Sequence, residues 1–321
     1  MNSYNAKEEK IIEMIKTLID SGVSEQLIVS RFESKILDLK KSKLSYWFAQ
    51  NVKGADVRAH GRVIINSRDS EWNYKFAKNV KESDINTHEQ IIIKNGDPCY
   101  NYMFARYIEV SNVRAHGKAI INSGDPKWNY LFARDVKGSD VKKHSKIIIN
   151  SGDPELNYLF AKNVKGTDVK KHSKIIINSG DPELNYLFAK NVKGTDVRAH
   201  GKAIINSGDP EWNYEFARYI AGANIKAHEQ IVINSGDPKL NYLFARDVKG
   251  SDVKAHERVI IKKGDPCYNY MFARDVKMRE QVVDKDVDLH NQIESELELL
   301  DNYLDDAMAS EEKDTSKSMT K

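Results

Sequence analysis

The stretch "NSGDPELNYLFAKNVKGTDVKKHSKIII" occupies residues 150–177, and most of it recurs directly afterwards, because residues 142–169 are identical to residues 170–197. Tyrosine and histidine mark the same unit through most of the chain with a period of 28 residues. Tyrosine lies at 46, 74, 102, 130, 158, 186, 214, 242 and 270, and histidine at 60, 88, 116, 144, 172, 200, 228 and 256. A fixed period of this length is typical of an array of stacked supersecondary units.

Each unit contains two helix-start signals. Asp153 is a capping residue followed by proline, a pair typical of a helix start, and Gly166 is suited to the end of that helix. Asp168 offers a second N-cap, and Gly180 offers a second stop. We call the two predicted helices of each repeat helix A and helix B. In the quoted repeat they are expected over 154–165 and 169–178.

Two short helices cannot bury their apolar faces alone, so neighbouring units must stack into a continuous core. The sequence therefore predicts an all-α fold, an α-solenoid of short antiparallel helix pairs. The alternative is a strand-plus-helix horseshoe, in which the isoleucine-rich end of helix B forms a parallel strand. The helical spacing of Val169, His172 and Ile176 disfavours it, and the leucine/asparagine signature of leucine-rich horseshoes is absent.

The two ends of the chain depart from the repeat. Val29 and Phe32 continue the apolar pattern of Val57 and His60 one period earlier, with phenylalanine in place of histidine. Such a degenerate unit is typical of a capping repeat. The expected division is an N-terminal helical cap over 1–43, eight to nine repeats over 44–277, an acidic C-terminal capping helix over 278–307 and a disordered tail over 308–321.

Composition indicates a cytoplasmic protein, because the chain has no run of 18 apolar residues and its first residues are too polar for a signal peptide. Cys99 and Cys267 occupy the same position in repeats six periods apart, too distant to form a disulfide. The net charge of +3 hides an asymmetry: residues 44–277 have 37 Lys/Arg against 27 Asp/Glu, and residues 278–321 have 5 against 13. A basic array and an acidic C-terminal segment are therefore expected.

The two-helix unit resembles the tetratricopeptide, pentatricopeptide and HEAT classes of solenoid, although 28 residues is shorter than any of those repeats. The segment "SGDPELNYLFAKNVKGTDV" more closely resembles a short repeat of uncharacterised bacterial and phage-type proteins, and this resemblance covers about residues 44–277. This resemblance implies a helical array. It implies no activity, catalytic residue or cofactor.

The periodic histidine raises the hypothesis of a metal site or proton relay, since histidine is the commonest metal ligand and titrates near neutral pH. Successive histidines of a solenoid lie roughly 10 Å apart, too far to share one zinc ion. His172 also falls on the apolar arc of helix B. We therefore predict a packing position with an internal hydrogen bond, Tyr158 being the candidate partner, and we expect no metal or cofactor.

The variable face of helix A carries aromatic residues beside a ladder of Lys/Arg. Aromatic side chains flanked by cations suit an extended acidic peptide, or a nucleic acid bound through phosphates and stacked bases. The alternative is that the aromatics cover the seam between adjacent helices, while the cations serve helix C-termini and solubility. The predicted binding residues are Trp72, Tyr100, Arg106, Trp128, Arg134, Lys162, Lys190, Trp212, Arg218, Arg246 and Tyr268.

The sequence contains no glycine-rich phosphate loop, nucleophile elbow or metal-ligand spacing outside the repeat, so no enzyme is expected. The leading hypothesis is a scaffold that binds another protein or an extended peptide along the aromatic and basic face of helix A. The alternative is a solenoid that binds single-stranded RNA or DNA there. Leucine at two face positions in three repeats, and the modest net charge, favour the scaffold. No small-molecule substrate or membrane partner is expected.

Overall fold

A computed structural model describes residues 3–277, and over this range the chain is helical and contains no strand. The prediction of an α-solenoid of helix pairs is confirmed there, and the strand-plus-helix alternative is wrong. The predicted capping helix 278–307 and tail 308–321 lie outside the described residues. None of the described helices is long and apolar enough to cross a membrane.

The helices alternate between helix A and helix B from residue 42 onward, after two longer N-terminal helices. Contacts divide the described residues into two compact units, residues 3–196 and 197–277. The helices are α1 Ser3–Asp20, α2 Glu25–Asp38, α3 Ser42–Asn51, α4 Val57–Ser67, α5 Ser70–Asn79, α6 Ile85–Asn95, α7 Pro98–Tyr107, α8 Val113–Ser123, α9 Pro126–Asp135, α10 Val141–Ser151, α11 Pro154–Asn163, α12 Val169–Ser179, α13 Pro182–Asn191, α14 Val197–Ser207, α15 Pro210–Tyr219, α16 Ile225–Ser235, α17 Pro238–Asp247, α18 Val253–Lys263 and α19 Pro266–Phe272, followed by a π-helical turn, Ala273–Lys277.

Helix A of the quoted repeat, α11, begins as its sequence predicts. The Asp153 carboxylate accepts a hydrogen bond from the Leu156 N–H at 3.0 Å, and Pro154 takes the first helical position. The helix ends at Asn163, two residues earlier than predicted. Val164 adopts extended backbone (φ −106°, ψ 113°) and buries its side chain, so core packing ends the helix before the glycine.

Helix B of the same repeat, α12, is one residue longer than predicted. The Asp168 carboxylate accepts from the Lys171 N–H at 3.4 Å, and the helix ends at Ser179. Gly180 follows with φ +70°, a left-handed conformation that glycine adopts without strain. Local capping chemistry therefore determines both ends of helix B.

The apolar core of the first unit is shared between repeats. Tyr130 and Ala133 of one helix A pack with Ile148 of the following helix B and with Phe160 of the next helix A. Phe160 and Ile148 are completely buried. Because each cluster takes residues from two repeats, an isolated helix pair would lack half of its core, as the sequence predicts.

The N-terminal helices pack against the first repeat. Ile12 of α1 and Ile36 of α2 are buried in one cluster with Phe48 of α3, and Phe32 is half-buried against the same cluster. The helices α1 and α2 therefore cover apolar surface of α3. The role of residues 1–43 as an end cap stays a prediction.

Candidate functional site

A buried asparagine connects three helices in six of the repeats. The Asn157 side chain is fully buried, and its Nδ2 donates to the carbonyl oxygens of Asp153 at 2.7 Å and Ile148 at 3.0 Å. Its Oδ1 lies 2.7 Å from Nδ1 of His172. Since the amide NH₂ faces two carbonyls, Oδ1 must be the acceptor, and the imidazole proton must be on Nδ1. The tautomer of His172 is therefore set by Asn157.

The predicted hydrogen bond between Tyr158 and His172 is wrong. Asn157, one residue earlier on helix A, faces helix B of its own repeat, whereas Tyr158 faces the next repeat. The sequence offered a signal, because this asparagine recurs on the apolar arc of helix A, where an unbonded amide would be costly. The same bond, at 2.7–2.8 Å, joins Asn73 to His88, Asn101 to His116, Asn129 to His144, Asn213 to His228 and Asn241 to His256.

The two ends of the described array show that this bond needs both residues. Ser45 takes the place of asparagine in the first repeat, and neither Ser45 Oγ nor His60 Nδ1 has a hydrogen-bond partner among the described residues. Asn269 begins the last repeat, but Asp284 stands in the sequence where its histidine would be. Within residues 3–277, Asn269 Oδ1 likewise has no partner.

The second imidazole nitrogen, Nε2, faces a residue of the preceding repeat. That residue directly follows the histidine of the preceding repeat, and it is Gly, Ser or Glu. Because Nδ1 carries the proton, neutral Nε2 is an acceptor and requires a donor. The three arrangements are Ser145 Oγ at 2.8 Å from His172 Nε2, Glu89 Oε1 at 3.2 Å from His116 Nε2, and Gly117 opposite His144, whose Nε2 has no partner in the part of the chain that the structure describes.

A second repeat also has a glutamate opposite the histidine, at Glu229. Glu229 Oε1 lies 3.2 Å from His256 Nε2 and accepts the Asp252 N–H at 2.5 Å. Burial raises the pKa of Glu229 and lowers the pKa of His256 to about 4. Burial is the largest cause of both shifts, because it disfavours the charged form of each group.

Gly117→Ser should stabilise the protein by about 1 kcal/mol, because the new hydroxyl can donate to His144 Nε2 and glycine is unfavourable within a helix. A Cβ at this position lies 3.2 Å from Phe132 Cε1, so the ring must shift slightly. Ser145 occupies the equivalent position, which shows that the repeat accommodates serine. Urea unfolding measures the effect, with Gly117→Ala as the control that adds Cβ without a donor. An alanine variant more stable than the serine variant by the full difference in helix propensity, about 0.5 kcal/mol, would contradict the missing donor.

The tyrosine hydroxyls form a second connection, between successive A helices. Tyr102 donates to Asp135 Oδ2 at 2.6 Å, and Tyr158 accepts from Asn191 Nδ2 at 2.8 Å. In each case the partner lies 33 residues further on, near the end of the next helix A. The other examples are Tyr46 with Asn79 (2.9 Å), Tyr130 with Asn163 (2.8 Å), Tyr214 with Asp247 (2.7 Å) and Tyr242 with Asp275 (2.6 Å).

The cation ladder lies beside these tyrosines. Lys162 Nζ is 5.3 Å from the ring centroid of Tyr158 and donates to its hydroxyl at 3.2 Å. Arg134 likewise donates to the hydroxyl of its own tyrosine, Tyr130, at 3.4 Å, and it also pairs with Asp135 through Nε–Oδ1 at 2.7 Å and Nη2–Oδ2 at 2.9 Å. The other predicted cations contact the same kinds of partner. Arg106 contacts Tyr102 and Asp135, and Lys190 donates to Tyr186 (2.7 Å). Arg218 donates to Tyr214 (2.5 Å) and Asp247 (3.1 Å), and Arg246 donates to Asp247 (2.7 Å) and Tyr242 (3.0 Å). Sequence reasoning missed the aspartate that neutralises most of the arginines.

The predicted aromatic residues are half-buried. Four of them pack on the recurring tyrosine of the preceding repeat, and each therefore covers a seam while part of it stays exposed. The ring-centroid distances are Trp72 to Tyr46 5.6 Å, Tyr100 to Tyr74 6.3 Å, Trp128 to Tyr102 5.6 Å and Tyr268 to Tyr242 6.2 Å. Trp212 is half-buried as well.

Neither a protein-family model nor a curated protein matches the sequence. Among solved structures, a Sel1 repeat protein from Oxalobacter formigenes matches 79% of this chain and 91% of its own length, at 12% identity and a TM-score of 0.31. So low a TM-score adds nothing to the repeat architecture described above. Among the described residues, no three His, Cys, Asp or Glu side chains form a group able to hold a metal ion.

Proposed function

We propose that the chain is a non-enzymatic repeat scaffold that binds another protein, or an extended peptide, along the exposed side of its A helices. The observation that carries this proposal is a row of half-buried apolar side chains beside the cation ladder. In α9, α11 and α13 the row comprises Leu131, Leu156, Leu159, Leu184 and Leu187. Partly exposed apolar residues next to positioned cations are typical of protein interfaces.

The lysine-bearing repeats are best suited to an acidic partner. Lys162 bonds to a neutral phenol, and it has no ion pair among the described residues, so its charge is available to a carboxylate. Its contact with Tyr158 also limits the motion of the ammonium group, which reduces the entropy lost on binding. Arg134, in contrast, is already neutralised by Asp135.

The buried histidine is the residue of the repeat best suited to acid–base catalysis, but both of its ring nitrogens already make structural hydrogen bonds. His172 is completely buried, with Nδ1 bonded to Asn157 and Nε2 to Ser145. A general base must reach a substrate proton, and this imidazole has no free nitrogen to offer. This arrangement supports a binding function for the repeat.

Lys162→Glu combined with Lys190→Glu should abolish partner capture while the melting temperature stays almost unchanged, because exposed lysines contribute little to folding. The Tyr158 hydroxyl keeps its bond from Asn191 in this variant. The measurement is affinity capture from the source cell, followed by mass spectrometry and nucleic-acid extraction.

The matched control is Lys142→Glu combined with Lys170→Glu, which changes the net charge equally but alters two neighbouring B helices, α10 and α12. Capture of the same proteins by both variants would refute the helix A surface. If single-stranded nucleic acid is recovered instead, with affinity that falls steeply with salt and depends on Lys162 and Lys190, the partner is not a protein.

A further inference from the structure

The B helices α8, α10 and α12 of the first unit carry an unusual concentration of positive charge. Together they contain eight Lys/Arg and no Asp/Glu. Six of the eight form a surface that we call the basic face, with two cations four residues apart on each helix, all of them exposed. The basic face consists of Arg114, Lys118, Lys142, Lys146, Lys170 and Lys174.

None of these six cations has an ion pair within residues 3–277. The neighbouring Lys143 and Lys171 are different, because each pairs with the N-cap aspartate of its helix, at 3.0 and 3.1 Å. Like charges four residues apart destabilise a helix by about 0.2–0.5 kcal/mol per pair. The basic face therefore costs stability without a compensating contact in the described chain, unlike the cation ladder of helix A.

Grooves separate the consecutive B helices and are lined by these cations. The groove between α8 and α10 has a volume of about 660 Å³ and is lined by Arg114 and Lys118. The groove between α10 and α12 has about 620 Å³ and is lined by Lys142 and Lys146. In each groove the next repeat contributes a cation outside the basic face, Lys143 or Lys171, together with the aspartate that pairs with it, Asp140 or Asp168. The cations of each groove that belong to the basic face therefore lie on one B helix.

We propose that the basic face binds the phosphate backbone of a nucleic-acid duplex. Residues 113–179 contain 13 Lys/Arg against 6 Asp/Glu, a local excess that the net charge of the whole chain hides. Repeats stacked at roughly 10 Å present cation pairs at regular intervals to an extended polyanion. This surface is separate from the helix A residues of the proposed function and does not depend on them.

The composition of the face selects a duplex over other anionic partners. The helices α8, α10 and α12 contain no Trp, Tyr or Phe, so unpaired bases would find no ring on which to stack. The same absence of aromatic rings removes the anchors most common at protein interfaces, so an acidic peptide would be held mainly by charge. Contacts made only by cations suit sequence-independent binding of backbone phosphates.

The test measures fluorescence anisotropy of a short labelled DNA duplex with the full chain at several salt concentrations. Lys142→Glu combined with Lys170→Glu should weaken binding at least about tenfold at low salt and reduce the slope of log affinity against log salt by about 2, one for each lost phosphate contact. Lys142→Glu places a carboxylate in the first turn of α10, four residues before Lys146, where the helix dipole and Lys146 both favour it. The variant should therefore melt no lower than the wild type.

The matched control, Lys162→Glu combined with Lys190→Glu, changes the net charge equally and should retain most of the duplex affinity. A labelled RNA duplex serves as a second probe, and salt-dependent binding of either duplex through Lys142 and Lys170 supports the proposal. Absence of binding at low salt, or equal loss in both variants, overturns it. Equal binding of polyglutamate, or of vesicles of phosphatidylcholine and phosphatidylserine, through the same two lysines also overturns it. If Lys142→Glu combined with Lys170→Glu loses duplex binding but still captures the protein partner, the basic face acts separately from the helix A surface of the proposed function.

Discussion

Acidification from about pH 7 to about pH 5 should unfold the repeat array, because buried neutral histidines must take up protons. Burial lowers the pKa of His88, His144 and His172 to about 4, whereas an unfolded histidine titrates at 6.5. The stability that comes from keeping these imidazoles neutral is complete above pH 6.5 and is lost as the pH falls towards 4. At pH 5 the loss is about 2 kcal/mol per histidine. The three together lose about 6 kcal/mol, which is comparable to the whole stability of many domains.

Far-UV circular dichroism against pH, with urea titrations at each pH, measures this loss. Asp135 titrates in a lower window: the hydrogen bond from Arg134 lowers the pKa of Asp135 to about 2, so its contribution is lost only below about pH 4. Asn129→Leu combined with His144→Phe removes one buried imidazole with its partner. The stability difference between pH 7 and pH 5 should then shrink by about 2 kcal/mol. Full helicity and unchanged urea midpoints at pH 4.5 would be inconsistent with neutral buried histidines.

Asn157→Leu should destabilise the protein by about 2–5 kcal/mol. The leucine side chain has a similar size but leaves the buried Nδ1–H of His172 without an acceptor. It also removes one hydrogen bond each from the carbonyls of Ile148 and Asp153, which keep the Ser151 hydroxyl and the backbone N–H of residue 157 as donors. An unsatisfied buried group costs about 1–3 kcal/mol, and a lost hydrogen bond costs about 0.5–1.5 kcal/mol. Equilibrium unfolding in urea at neutral pH gives the value.

The matched control is Asn163→Leu on the same helix, since Asn163 is exposed and makes one bond, to the Tyr130 hydroxyl. It should cost no more than about 1 kcal/mol. His172→Leu should cost about 1–3 kcal/mol, because it leaves Asn157 Oδ1 without a donor. The double variant of Asn157 and His172 should cost less than the sum of the two single changes. Equal effects of Asn157→Leu and Asn163→Leu would refute the connecting role of Asn157.

The helix pair was predictable because its determinants are local. Asp153 and Asp168 cap their own helices, and the apolar arcs follow from the helical repeat. The partner of His172 was not predictable in the same way. Asn157 and Tyr158 are adjacent polar residues on one arc, and only the relative rotation of helices A and B decides which of them reaches the imidazole.

The position of the candidate surface on helix A was predictable from the sequence, but the hydrogen bonds and ion pairs of its residues were not. Sequence periodicity places Lys162 and Arg134 on the outer side of helix A, where the structure has them exposed. The bond from Tyr102 to Asp135 spans 33 residues and depends on the spacing between repeats, which one repeat alone does not encode. The basic face was visible in composition, but a net charge taken over the whole chain conceals it.

The connections between repeats make the array tolerant of changes in its own length. Each bond described above joins a residue to its own repeat or to an immediate neighbour, and the blocks 142–169 and 170–197 are identical. Recombination between the two coding copies would delete one block and leave the sequence at the junction unchanged. His172 would then face Gly117, as His144 does now, so the shortened chain would contain only junctions that already occur. In a single recombination event, such a gene can gain or lose one whole repeat, and the surface that the array offers to a partner then lengthens or shortens by one repeat.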